Sequence, residues 1–227
     1  MLARFDSIIR AIVHKIALEE TQLCQRIGTS IHDEDDFTSR LADRIENAID
    51  GVIDSGYRWN VVTRKLPWRG SSSEEKQYGA DLMIVLSVNS PDFSVSKGVL
   101  VQAKILQNVR ELMTNFMYPT FTLDNHLRGQ IQNMLQITPE SFVWVYAEPG
   151  VRVMRAGTLA GCGNHRTVLE VENRSLANFM GQFLSCWHGD YRFAAADKNS
   201  LETVAREYNA KRAVLISATS DRDSGRE

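Results

Sequence analysis

Gly98-Val99-Leu100-Val101-Gln102-Ala103-Lys104-Ile105 is the stretch on which the reading of this chain turns. Side chains alternate across a β-strand, so Val99, Val101, Ala103 and Ile105 share one face while Leu100, Gln102 and Lys104 share the other. A short apolar strand has no packing reason to hold an amide and an ammonium on one face, since burying either costs free energy unless it is paired. Upstream, Gly79-Ala80-Asp81 heads a second apolar strand, Leu82 to Leu86. A carboxylate, an amide oxygen and a lysine ending together on adjacent strands would offer oxygen ligands to a hard cation, with a positive charge beside it. The bland alternative is a turn aspartate and a surface-facing strand that holds Gln and Lys by chance.

Asp81 followed by Gln102-Ala103-Lys104 resembles the PD-(D/E)xK, or restriction-endonuclease-like, superfamily, and more narrowly its QxK, Mrr-like branch. That pattern has an acid on an early helix, an aspartate opening one strand, and (D/E/Q)-x-K on the next. Glu34, in His32-Asp33-Glu34-Asp35-Asp36-Phe37, matches the helix acid. The resemblance runs from Glu34 to Tyr146. It implies an α/β fold with a restriction-endonuclease-like core, a mixed central β-sheet flanked by helices. It implies a catalytic set of Glu34, Asp81, Gln102 and Lys104. It also implies Mg2+, replaceable by Mn2+, held by Glu34, Asp81, Gln102 and the Ala103 carbonyl. Lys104 would orient or deprotonate the attacking water and shield developing negative charge. The activity implied is endonucleolytic hydrolysis of double-stranded DNA, in restriction or anti-phage defence.

Gln102 departs from the commoner Glu or Asp of the family and removes one negative charge from the site. It leaves open a second reading, a catalytically inactive nucleic-acid-binding or assembly protein on the same scaffold. A nuclease acting on RNA or single strands is a third. Gln130 resembles a helix glutamine that faces the active site in many QxK-type nucleases; its neighbours Arg128 and Gln132 equally suit a solvated helix face. Trp68, Arg69 and Lys76 lie in a loop that combines an aromatic, cations and serines, the composition of a phosphate contact. Glu74 and Glu75 offset that charge, which equally suits an ordinary surface loop. Lys97, Arg110 and Arg128 are further candidates for phosphate contact. Cutting both strands from a one-metal site calls for two active sites, hence a homodimer or higher homo-oligomer.

The 227 residues suffice for one substantial core, so residues 1–227 read as a single domain. Within it, 1–27 form an N-terminal helix available as a dimer contact, 31–190 the catalytic core and 218–227 a polar, disordered tail. A formal charge of −2 argues against a protein that coats polyanions over its whole surface but permits a local basic cleft. The N-terminal segment is interrupted by Arg4, Arg10, His14 and Lys15, which argues against a secretory or membrane-spanning segment. Three cysteines at unrelated spacings do not suggest a disulfide framework, and a cytoplasmic location is expected. Cys162, His165, Cys186 and His188 lack the spacing of common zinc sites.

Periodicity predicts helices over 2–25, from Asp33 or Asp35 through Ile49, over 126–135, from an Asn173 cap to Cys186, and over 201–208. Strands are expected over 57–66, 82–86, 98–105, 141–147, 151–154 and 213–216.

Overall fold

The computed structural model describes residues 5–66, 80–106, 120–163, 165–167 and 171–220. Its ten strands are β1 (Ile53–Asp54), β2 (Tyr57–Lys65), β3 (Leu82–Ser90), β4 (Phe93–Ile105), β5 (Thr120–Thr122), β6 (Ser141–Ala147), β7 (Gly150–Arg155), β8 (His165–Thr167), β9 (Arg174–Ser175) and β10 (Arg212–Ser220). Eight form one sheet in the order β1-β2-β10-β3-β4-β6-β7-β9, and β5 pairs with β8 apart from it. The sheet is mixed. β10 runs parallel to β3 and β4 parallel to β6, while its other neighbours are antiparallel.

Both faces of this sheet are covered, which is why its central strands read as nearly continuous apolar runs. On one face, Val99, Val101, Ala103, Ile84, Leu86, Trp144, Tyr146, Val214 and Ile216 join α1 (Asp6–Cys24), α2 (Glu34–Ile49) and α5 (Leu176–Leu184) in one core. On the other, Met83, Val85, Leu100, Ala213 and Leu215 pack with α6 (Lys198–Glu207) and the 3-10 turn Tyr191–Phe193. Val143, Val145 and Met154 meet α3 (Asn125–Ile137) and α4 (Ala156–Ala160). The alternation expected for β4 is present: Leu100 lies in a different core from Val99 and Val101.

α1 buries Ile8, Ile9, Ile12, Ile16 and Leu23 against the chain's own core, so the face expected as a possible dimer contact is used internally. Its Glu20 is 6 % exposed and accepts the Val151 N–H at 2.6 Å, fastening the helix to β7. Burial raises the Glu20 carboxyl above its usual range, and the Val151 bond offsets only part of that. Gly98 opens the decisive stretch because a Cβ there would lie 2.8 Å from the Ile84 carbonyl and 2.9 Å from the Phe193 Cβ. Its absence lets the 3-10 turn close onto β4, where Gly98 and Asp190 exchange backbone hydrogen bonds of 3.0 and 2.8 Å.

Three expectations are corrected. The last strand is not 213–216 followed by a tail from 218; β10 runs from Arg212 to Ser220 in the middle of the sheet. Ser217, Thr219 and Ser220 look tail-like in sequence, but pairing with β2 and β3 satisfies a strand backbone whatever its side chains. The cap of α5 is Ser175, which accepts from the Asn178 N–H, while Asn173 donates to the Val171 carbonyl. α6 begins at Lys198, earlier than expected, because Asp197 and Ser200 form a reciprocal capping box. Residues 1–4 and 221–227 lie outside the described residues.

Candidate functional site

Asp81 stands immediately before β3. Leu82 pairs with Val101, and the Asp81 N–H donates to the Val101 carbonyl at 3.0 Å. This register sets the aspartate against Gln102 and Ala103. Its Oδ2 accepts the Ala103 N–H at 2.8 Å and the Gln102 Nε2. Lys211 stands immediately before β10 in the parallel neighbour of β3, and its Nζ lies 2.6 Å from Asp81 Oδ1. Two parallel strands thus begin side by side, one headed by an anion and the other by a cation.

The acidic run at the start of α2 divides by what each side chain touches. Asp33 caps the helix by accepting the Asp36 N–H at 2.8 Å. Asp36 pairs with Arg40 at 2.8 Å. Asp35 pairs with Lys65 at 3.1 Å and with the buried Arg212 at 3.2 Å. Partial burial works against the Asp35 charge, but Lys65 and Arg212 hold its carboxyl below the usual range. Glu34 is the member that turns to β4, its Oε1 lying 3.4 Å from the Ile105 nitrogen that donates to it.

The first turn of α2 is fixed to the sheet from below. Thr38 donates to the Glu34 carbonyl at 2.6 Å and so accepts from the Tyr146 hydroxyl at 2.9 Å. Phe37 stacks on the Tyr146 ring at 4.1 Å. Burial pushes the Tyr146 phenol far above its ordinary range, so it stays a donor.

Glu34, Asp81, Gln102, Ala103 and Lys104 therefore line one cleft of about 470 Å³, together with Asp33, Asp35, His126, Gln130 and Lys211. The Gln102 Oε1 and the Gln130 Oε1 are both buried and have no hydrogen-bond partner among the described residues. A buried acceptor left unmade costs roughly 1–3 kcal/mol. Two of them in one cleft mark a place built for a donor or a cation. With two carboxylates and an amide oxygen, the donor set suits a hard cation, which takes oxygen ligands. Among the described residues no three His, Cys, Asp or Glu side chains converge on one point, so such a site depends on the amide and the backbone for its remaining oxygens.

Other predicted residues fall elsewhere. Arg128, the neighbour of Gln130 in sequence, turns its guanidinium to the Leu123 and Cys162 carbonyls at 3.2 and 2.8 Å. Lys97 is 5 % exposed and donates to the Cys186 carbonyl, which corrects its reading as a phosphate contact. Trp68, Arg69, Lys76 and Arg110 lie outside the described residues. Two cleft residues escaped the sequence reading, His126 and Lys211. His126 precedes Gln130 by one helical turn and could have been found by that spacing. Lys211 precedes an apolar strand as Asp81 does, but no sequence signal states that these two strands are neighbours.

No helix among the described residues is long and apolar enough to cross a membrane. Comparison of the chain with protein-family models, with curated proteins and with solved structures finds no match.

Proposed function

We propose that the chain is a divalent-metal-dependent endonuclease that hydrolyses phosphodiester bonds of double-stranded DNA from a restriction-endonuclease-like core. The observation that supports this reading best is the convergence of Glu34, Asp81, Gln102 and Lys104 on one cleft with the Gln102 Oε1 buried and unpartnered. The order α2, β3, β4, α3, β6, with β4 and β6 parallel, agrees with it.

Asp81, Glu34, Gln102 and the Ala103 carbonyl would hold Mg2+ or Mn2+. Bound there, the ion supplies Lewis-acid stabilisation of a phosphoryl oxygen and a nucleophilic water of lowered pKa. Asp81 brings the principal anionic oxygen, at a position its neighbours in β3 and β4 fix. Lys104, two residues beyond Gln102 on the same face of β4, orients the attacking water and shields negative charge gathering on the phosphate. Gln130 and His126, on one face of α3, line the side of the cleft where the polynucleotide would lie. Cleavage of both strands requires two copies of the site, so the active form is a homodimer or a higher homo-oligomer.

One observation favours a second reading, a non-catalytic nucleic-acid-binding protein. The Asp81 carboxylate is already met by Lys211, Gln102 and Ala103, which balances its charge without a metal. Incubation with supercoiled plasmid in Mg2+, against an EDTA control and Asp81→Asn, separates the two. Metal-dependent nicking or linearisation lost in Asp81→Asn supports the nuclease. Retarded but uncut plasmid supports the binder.

A further inference from the structure

This inference rests on the reading of the cleft as a divalent-metal site. We propose that Lys211 is the resident counter-ion of that site: a divalent cation must displace its ammonium from Asp81, so Lys211 sets the metal affinity and couples metal binding to phosphate binding.

Among the described residues three donors occupy the Asp81 carboxylate, and they differ in how they can yield. The Ala103 N–H is fixed in β4. Gln102 is 2 % exposed and can change what it presents only by turning its amide in place. Lys211 has a long stem, a side chain 38 % exposed and a seat at the cleft wall. Its backbone does not move with it, since its N–H donates to the Ala80 carbonyl at 2.9 Å and its carbonyl accepts the Leu66 N–H at 3.0 Å. The ammonium is therefore the group that leaves.

Charge placement points the same way. Four carboxylates, Asp33, Glu34, Asp35 and Asp81, line the cleft with Lys104 and Lys211; Asp35 is paired with Lys65 and Arg212, and Lys211 is the cation seated on Asp81. A dication approaching Asp81 meets the Lys211 ammonium at 2.6 Å from Oδ1 and cannot share that oxygen until the ammonium withdraws. Asp81, with a side chain only 11 % exposed, in turn needs a positive neighbour when no metal is bound. A displaced Lys211 ammonium stays tethered at the cleft, where a phosphodiester oxygen gives it a new partner. Metal and polynucleotide then favour one another's binding, as linkage requires.

The test is Mn2+ binding without nucleic acid, followed by the electron paramagnetic resonance of the free ion, on wild type, Lys211→Met, Lys211→Gln, Lys211→Arg and Asp81→Asn. Lys211→Met and Lys211→Gln are expected to bind Mn2+ on the order of tenfold tighter than wild type, the size of effect one adjacent charge exerts on a carboxylate. Lys211→Arg keeps the competing charge and stays near wild type, and Asp81→Asn loses binding. In the absence of metal, Lys211→Met unfolds at a lower temperature than wild type, and Mn2+ raises its midpoint by more. Equal Mn2+ affinity in wild type and both neutral variants, with binding lost in Asp81→Asn, overturns the role of Lys211 and leaves the metal site standing. No Mn2+ binding by wild type or by either neutral variant overturns both.

Discussion

Two polar clusters sit on either side of β6, and they are built to opposite rules. At its start, His188 is 5 % exposed and both of its ring nitrogens have partners. Its Nδ1 lies 3.4 Å from Glu140 and 3.2 Å from Arg155, and its Nε2 3.1 Å from Gln182 and 3.3 Å from Arg174. Its ring stacks on Phe179 at 5.7 Å. Burial alone would raise the Glu140 carboxyl, but the bonds from His188 and Gly189 and the charge of Arg155 hold it below the usual range. On the β4 side of the strand, where Gln102 and Lys104 pair with Val143 and Val145, the cleft leaves the oxygens of Gln102 and Gln130 unmatched among the described residues. A satisfied buried network stabilises a fold, whereas buried acceptors left over are an unmet cost unless a ligand meets them. On the proposed reading, the first cluster serves stability and the second the chemistry.

Substitutions in the cleft and at the start of β6 should therefore separate activity from stability. The largest effect is expected at the cleft. Asp81→Asn and Lys104→Ala should each lower plasmid cleavage by at least about a hundredfold, given that even groups behind a metal ligand cost about 10–100-fold. Circular dichroism of both should match wild type. An active Asp81→Asn would break the comparison at the cleft.

His188→Ala should do the reverse. It strips partners from Glu140 and Gln182, at a cost of about 2 kcal/mol, which in a chain of this size lowers the melting midpoint by about 4–8 °C. Its cleavage rate, measured well below that midpoint, should stay within about twofold of wild type.

Acid should act on the same region. The Asp190 carboxyl is held far below the usual range, by Arg192 first and with help from Thr138, and Glu140 is lowered as well. Carboxyls lowered in the folded state stabilise it fully above their unfolded values of about 4, and the contribution is lost as pH falls through the folded values. Thermal midpoints should be level near neutrality and drop steeply below about pH 4. Glu140→Gln should flatten part of that drop.

The smallest effect belongs to Thr38→Val, which removes the bond from Tyr146 and the tie to the Glu34 carbonyl. A loss of about 1 kcal/mol in stability is expected. Because Thr38 touches only the Glu34 carbonyl and the carboxylate keeps the Ile105 N–H, cleavage should fall by a few-fold and no more.

How far these features were legible follows from their range along the chain. The faces of β4, the α2 cap and the pairing of Asp81 with Gln102 rest on local periodicity and one hairpin, and sequence carries those directly. The resemblance alone picks Glu34 from four successive acids; the physical reason it differs lies in the partners of Asp33, Asp35 and Asp36, which come from the helix backbone, from Arg40 and from distant Lys65 and Arg212. The position of β10 was not legible at all. Nothing in Ala210-Lys211-Arg212-Ala213 states that a late strand inserts between β2 and β3, and with that insertion missed, Lys211 was missed too. His188 looked like one of a scattered set of Cys and His residues, and its partners Glu140, Arg155 and Arg174 come from three separate elements.

Gln102→Glu tests the central claim, that the cleft is built around a cation, most directly. Without metal, the new carboxylate opposes Asp81 Oδ2, where the Gln102 amide now donates. With metal, the same charge becomes a ligand, and charge count tunes hard-cation affinity. A Mg2+ titration of plasmid cleavage is predicted to move its midpoint to lower Mg2+ on the order of tenfold, with a larger Mg2+-induced rise in melting temperature than wild type. Superimposable Mg2+ curves for wild type and Gln102→Glu, in cleavage and in melting alike, would contradict it.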